Sequence, residues 1–132
     1  LSDWETWIAN LKKNIPQYNN ISSWLDAGCG SGAFLHSLND NIELHGFDYS
    51  SSLITIAQKF FRTVKKSTNL YIDNIANKNL ILPTVDVISC ISSLQYVPEN
   101  NGLSFFKSAL KKVNSGVLIA EIPNKKFYKE VG

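Results

Sequence analysis

Methionine is absent from this chain of 132 residues, and cysteine and histidine occur twice each. Two cysteines, Cys29 and Cys90, are too few for a disulfide framework, which needs more of them in a smaller secreted chain. Neither has neighbours at metal-ligand spacing, so no metal site is expected. A reduced, cytoplasmic protein is the simpler reading, with both thiols as small buried packing residues. No apolar run is long enough to cross a bilayer. Asp3 and Glu5 interrupt the N-terminus, so no signal peptide is visible. The net charge of +2 is small and the lysines are scattered. The pairs Lys65–Lys66, Lys111–Lys112 and Lys125–Lys126 read as solvated faces, and nucleic acid is an unfavoured partner. Charged residues make up 18% and hydrophobic ones 44%, so the chain has the means to fold and is not disordered. Starting at Leu1 with no methionine, it is expected to be a piece of something longer.

What is present is an alternation of short apolar runs and helical patterns. Residues 2–14 read as an amphipathic helix: Ser2 and Glu5 form a capping box, and Trp4, Trp7, Ile8 and Leu11 recur at helical spacing. Pro16 ends it. Residues 1–22 are thus a helix and linker, and 23–132 a single core domain. Strands are predicted at Ser23–Ala27, Glu43–Phe47 ending at Asp48, Leu70–Ile72, Val85–Cys90 and Gly116–Ile122. Helices are predicted at Ala33–Asn39, at Ser51–Lys66 with Leu53, Ile56, Ala57, Phe60 and Val64 inward, and at Leu103–Val113 with Leu103, Phe106, Leu110 and Val113 inward. Strands separated by helices indicate βαβ units and a parallel sheet with right-handed crossovers.

The most informative run is Leu25-Asp26-Ala27-Gly28-Cys29-Gly30-Ser31-Gly32, a strand entering a glycine turn ahead of a helix. Glycines let a ligand approach the main chain, and a helix start offers unpaired N–H groups. The spacing Gly28-x-Gly30-x-x-Ala33 also fits a relaxed dinucleotide fingerprint, which leaves a nicotinamide-dependent oxidoreductase open. Asp26 opposes that reading, because a carboxylate there repels a pyrophosphate and attracts a cation. Asp48, at the end of the second strand, stands where a carboxylate accepts two ribose hydroxyls. Asp73 and Asn74, after the third strand, stand where polar groups read an adenine edge. Each acid also has a local reading: Asp26 capping the turn, Asp48 near a helix start where Ser50 or Ser51 serves better as cap, and Asp73 as a turn residue.

These runs resemble, in order, the motifs of class I S-adenosylmethionine-dependent methyltransferases. Leu25 to Gly32 looks like their first motif, Gly46-Phe47-Asp48-Tyr49-Ser50 their second, and Tyr71-Ile72-Asp73-Asn74 their third. Asp86-Val87-Ile88-Ser89-Cys90 through Leu94-Gln95-Tyr96-Val97 looks like the fourth strand and its loop. The likeness covers about residues 23–123. It implies a Rossmann-like three-layer α/β sandwich, with a mostly parallel sheet of order 3-2-1-4-5 and helices on both faces. It implies S-adenosyl-L-methionine as cofactor and methyl transfer as the activity; the weak charge and the absence of an appended nucleic-acid module favour an oxygen or nitrogen of a small molecule as the acceptor. Gly28, Cys29 and Gly30 would line the methionine part, and Asp26 would reach its ammonium group. Asp48 would hold the ribose, with Tyr49 beside the adenosine. Asp73 would read the adenine amino group, with Asn74 or Ile75 on the ring. Cys90 and Ile91 would add backbone after the fourth strand.

No catalytic residue is assigned. Tyr96, Gln95 and Glu121 are weak candidates, and Tyr96 and Gln95 read more readily as packing and anchoring groups. His36 and His45 lie away from the expected crevice. The family continues past its fifth strand, whereas this chain stops at Gly132. The last strands are therefore expected to be missing and the fifth strand to be an open edge. A non-catalytic cofactor-binding or partner domain stays open on that account.

Overall fold

The computed structural model describes residues 18–91, 99–122 and 125–130, with 6, 9, 10 and 13 before them; from residue 114 onward the description is of the backbone. The predicted helix over 2–14 therefore falls largely outside the described residues.

Apolar runs of five to seven residues form β1 (Ser23–Ala27), β2 (Glu43–Asp48) and β4 (Val85–Ile91), and the shorter β3 spans Asn69–Ile72. Helix α1 (Ala33–Ser37) follows the glycine turn. Helix α2 (Ser51–Thr63) starts where Ser50 Oγ accepts the Leu53 N–H at 3.2 Å, a side-chain cap of the expected kind. Helix α3 spans Glu99–Lys112 and leads into β5 (Val113–Ile122). The sheet order is β3-β2-β1-β4-β5-β6, with the first five strands parallel.

The sixth strand corrects the sequence reading. Lys125–Glu130 forms β6, antiparallel to β5, with Ile122 opposite Lys125 and Val117 opposite Glu130. The fifth strand is thus covered, not an open edge. The reading stopped at Pro123-Asn124 because Lys125-Lys126 and Lys129-Glu130 mask a strand whose outer side needs no apolar residues.

Two clusters pack on the two faces of the sheet. Trp24, Leu44 and Val87 meet Phe34 and Leu35 of α1 and Ile54 and Phe61 of α2. Leu25, Phe47, Ile88 and Cys90 meet Phe105 and Ala109 of α3. Val85 joins the second cluster although Val87 belongs to the first. A register shift between them breaks the two-residue alternation.

Both long helices are turned from the orientation expected, with Ala57, Phe106 and Leu110 of the expected stripes still meeting the core. On α2 the buried residues are Ile54, Ala57 and Phe61, while Leu53, Ile56, Phe60 and Val64 are exposed. On α3 Phe105 and Ala109 are buried, Phe106 and Leu110 flank them, and Leu103 is exposed; Val113 is buried as the first residue of β5. In each helix two apolar stripes run side by side, about 100° apart, and periodicity alone does not choose between them. On α2 the choice falls to Gly32. A Cβ there would lie 2.6 Å from Phe61 Cε2, so the bare glycine makes the space that Phe61 occupies.

Candidate functional site

The C-terminal ends of β1, β2, β3 and β4 meet at one rim, and the sheet order reverses between β1 and β4. In open α/β sheets that point is where ligands bind. The residues there are built up from the glycine turn. Gly28, Gly30 and Gly32 have φ of 77°, 56° and 86°. At Gly32 a side chain would meet both this strained angle and Phe61, whereas a Cβ on Gly30 would meet nothing within 4 Å. Gly30 is therefore bare on the open side of the turn.

The turn is stitched to β2. The N–H groups of Gly28 and Cys29 both donate to the Phe47 carbonyl, at 2.8 and 2.9 Å. The N–H of Gly30 donates to Asp48 Oδ2 at 3.0 Å, and that of Ser50 to Asp48 Oδ1 at 2.9 Å. The Asp73 N–H donates to the Asp48 carbonyl at 3.1 Å. Asp48 thus ties together the glycine turn, the start of α2 and the loop after β3. Sequence reasoning gave it the ribose, with a place near the helix start as its local alternative, and missed its tie to the glycine turn. The close approach of turn and strand has a second cause in Gly46, where a Cβ would sit 3.0 Å from Cys29 Sγ. A glycine inside a strand is the signal that could have revealed it.

Asp26 lies inside β1, only 3% exposed. Its Oδ1 accepts the Ser89 hydroxyl at 2.8 Å, and Ser89 Oγ in turn accepts the Trp24 indole N–H at 2.9 Å. Burial pushes the Asp26 carboxyl up to about 7; the Ser89 hydrogen bond opposes this, and the charge of Asp48 adds to it. Burial, with Asp26 and Asp48 nearby, pushes the Cys29 thiol up as well, so it is no thiolate nucleophile. Cys29 and Cys90 are both buried and form no disulfide.

The other expected residues are dispersed around the rim. Tyr49 follows β2 and is 75% exposed. Asp73 Oδ1 accepts the Asn74 N–H at 2.7 Å and Asn77 Nδ2 at 2.9 Å, so one of its oxygens serves as a turn acceptor. Asn74 Oδ1 accepts the Ala76 N–H, and Ile75 is buried in the cluster under α3. Cys90 is buried in the same cluster, whereas Ile91 packs at the edge of the other. Glu121 pairs with Ile91 across β5, level with the end of β4. Gln95 and Tyr96 lie outside the described residues. His36 sits against Phe60, with ring centroids 4.9 Å apart, and His45 lies 3.4 Å from Glu43, both away from the rim.

Two further features bear on what the rim can hold. Among the described residues neither Asp26 nor Asp48 pairs with a cation. The Tyr71 ring stacks on Phe47, and its buried hydroxyl has no hydrogen-bond partner among the described residues. Burial, with Asp73 and Cys29 nearby, pushes that hydroxyl up to about 12. Two buried carboxylates with no cation beside them among the described residues suit a cationic, polyhydroxylated ligand better than a pyrophosphate.

Known proteins point the same way. The chain resembles a small RNA 2'-O-methyltransferase from Arabidopsis thaliana, with 28% identity over 120 residues, covering 83% of this chain and 13% of that protein. Its fold resembles an S-adenosylmethionine-dependent methyltransferase from Clostridium acetobutylicum, with a TM-score of 0.80, 23% identity, and coverage of 91% of this chain and 50% of that one. It also resembles an amino pentose methyltransferase of calicheamicin biosynthesis from Micromonospora echinaspora, solved with S-adenosylmethionine bound. There the TM-score is 0.75 at 17% identity, covering 92% of this chain and 51% of that one. The chain thus spans about half of these structures and a small part of the plant protein. The family model for the methyltransferase domain matches residues 25–117, and the chain belongs to that family.

Proposed function

We propose that this domain binds S-adenosyl-L-methionine along the rim of β1, β2, β3 and β4, and that the protein transfers the methyl group to an oxygen or nitrogen of a small molecule. The observation that carries the reading is the pair of acids, Asp26 and Asp48, set at a glycine turn without a counter-cation among the described residues. Asp26 receives the ammonium group on the oxygen that Ser89 does not occupy. The backbone of Gly28, Cys29 and Gly30 lies along the methionine chain, where Gly30 has no side chain to obstruct it. Asp48 spends one lone pair of each oxygen on Gly30 and Ser50, and the remaining lone pairs accept the ribose hydroxyls. Tyr49 packs beside the adenosine. Asp73 faces the adenine amino group with the oxygen left by Asn74 and Asn77, and Asn74 and Ile75 border the ring. The backbone at Cys90 and Ile91 closes the far side.

Once bound, the sulfonium supplies an already activated methyl group. The protein then has to align the acceptor and exclude water, with a general base where the acceptor must lose a proton. Gln95, Tyr96 and Glu121 remain the candidates for contact with the acceptor.

A second acceptor class is favoured by one observation: the plant protein that resembles 83% of this chain acts on the 2'-oxygen of small RNA. The weak net charge of +2 supports the small-molecule reading over it.

The test is calorimetric titration with S-adenosylhomocysteine, with NADH as control. Saturable binding of the first and none of the second is expected. Uptake of NADH alone, or of neither by a folded chain, overturns the cofactor reading. Methyl transfer is then assayed on small amines and alcohols and on short RNA, and transfer to RNA alone overturns the small-molecule acceptor.

A further inference from the structure

We propose that Ser89, itself oriented by Trp24, is a positioning residue that keeps Asp26 ionised and its second oxygen free for the cofactor's ammonium group. The proposal rests on the cofactor reading above. Its basis is the direction of the hydrogen bonds. An indole N–H only donates, so Ser89 Oγ must accept from Trp24 at 2.9 Å. The hydroxyl has one proton, and that proton goes to Asp26 Oδ1 at 2.8 Å. Trp24 is fully buried between Tyr18 and Phe34, with ring centroids 6.5 and 5.7 Å away, so the donor at the start of the chain is fixed by packing.

The sheet leaves Asp26 no substitute for Ser89. On one side of Asp26 the register places Gly46, which has no side chain, and on the other it places Ser89. Among the described residues the titratable groups beside Asp26 are Asp48 at the end of β2, whose charge acts on it, and Cys29 on the glycine turn, whose thiol Asp26 acts on. Asp48 disfavours a negative charge on Asp26, and so does burial; the Ser89 hydroxyl is the interaction that favours it. A neutral Asp26 would meet a cationic ligand with a hydroxyl in place of a charge. Ser89 therefore acts through Asp26 without touching the ligand.

The experiment measures S-adenosylhomocysteine affinity from pH 5.5 to 9 for wild type, Ser89→Ala, Ser89→Thr and the double variant Trp24→Phe/Ser89→Ala. The double variant removes both ends of the hydrogen bond and leaves no orphan indole N–H in the core. Ser89→Ala and the double variant are expected to bind about tenfold more weakly at pH 6.5, the scale of a lost hydrogen bond to a charged group. They are expected to recover toward wild type at pH 9, with the midpoint of the profile moved upward. Ser89→Thr, which keeps the hydroxyl, is expected to restore the wild-type midpoint. If the wild type binds and the midpoint is unmoved in both alanine-bearing variants, whether their affinity is unchanged or uniformly lower, the role of Ser89 alone is overturned. A folded wild-type chain that takes up no S-adenosylhomocysteine at any pH overturns the cofactor reading and this role with it.

Discussion

Asp26 is a carboxyl that the fold buries at a cost. Its ordinary value is 3.8, and burial, with the Asp48 charge adding to it, lifts it to about 7 in the folded chain. Between about pH 4 and 7 the folded state therefore keeps a proton that the unfolded state releases. Its contribution to stability is present below pH 4, is lost as pH rises through that window, and is flat above it. Asp26→Asn imitates the protonated form. The melting temperature of Asp26→Asn minus that of wild type is expected to grow from pH 4 to pH 8 by several degrees. A difference that does not vary with pH would show that Asp26 titrates normally. The same variant should lose affinity for S-adenosylhomocysteine, since a neutral amide does not balance an ammonium charge. Stability and ligand binding thus make opposite demands on this residue, as is common at functional sites. The identity of Asp26 and its place before the glycines were legible in the sequence. Its partner was not, because Ser89 lies 63 residues away and only the pairing of β1 with β4 brings the two together.

Helix α2 shows how an element can be correctly found and wrongly turned. The sequence reading had it running from Ser51 with an apolar stripe, and Ser50 does cap it. The stripe through Leu53, Ile56 and Phe60 faces outward, however, and the one through Ile54, Ala57 and Phe61 faces the sheet. The two phenylalanines are adjacent in sequence and differ in setting. Phe61→Ala empties a site against Gly32 and is expected to destabilise the chain by about 3–5 kcal/mol. Phe60→Ala removes an exposed ring that touches His36 and is expected to cost less than about 1 kcal/mol. Urea unfolding of the two variants decides the matter, and equal losses would mean that the helix faces inward along the Phe60 stripe. The structure also places Lys66 as a clasp between elements. Its ammonium donates to the carbonyls of His36 and Leu38, at 3.0 and 2.6 Å, at the C-terminal end of α1. In the sequence it was one of two adjacent lysines on a solvated face.

Across the whole molecule the sheet ends at one side in the lysine-rich strand β6, antiparallel to β5, and the candidate site lies where the strand order reverses. A chain ending at Ile122 would expose the backbone groups of β5 that β6 now pairs. That shortened chain is expected to self-associate, with a rise in mean mass by light scattering relative to the full chain. Equal masses at equal concentration would show that the edge needs no cover. By itself the sequence determined the order and type of the elements from β1 to β5, the glycine turn and the acids around it. Those features depend on neighbours within a few positions, through the two-residue and 3.6-residue periods and the backbone freedom of glycine. The tertiary structure alone decided which stripe of each helix is buried, that Lys125–Glu130 forms a strand, that Asp48 holds the glycine turn, and that Asp26 answers to Ser89 and Trp24. Each of these depends on which strands lie side by side and in what register, and contacts between segments tens of residues apart exist only once the crossovers have set that order.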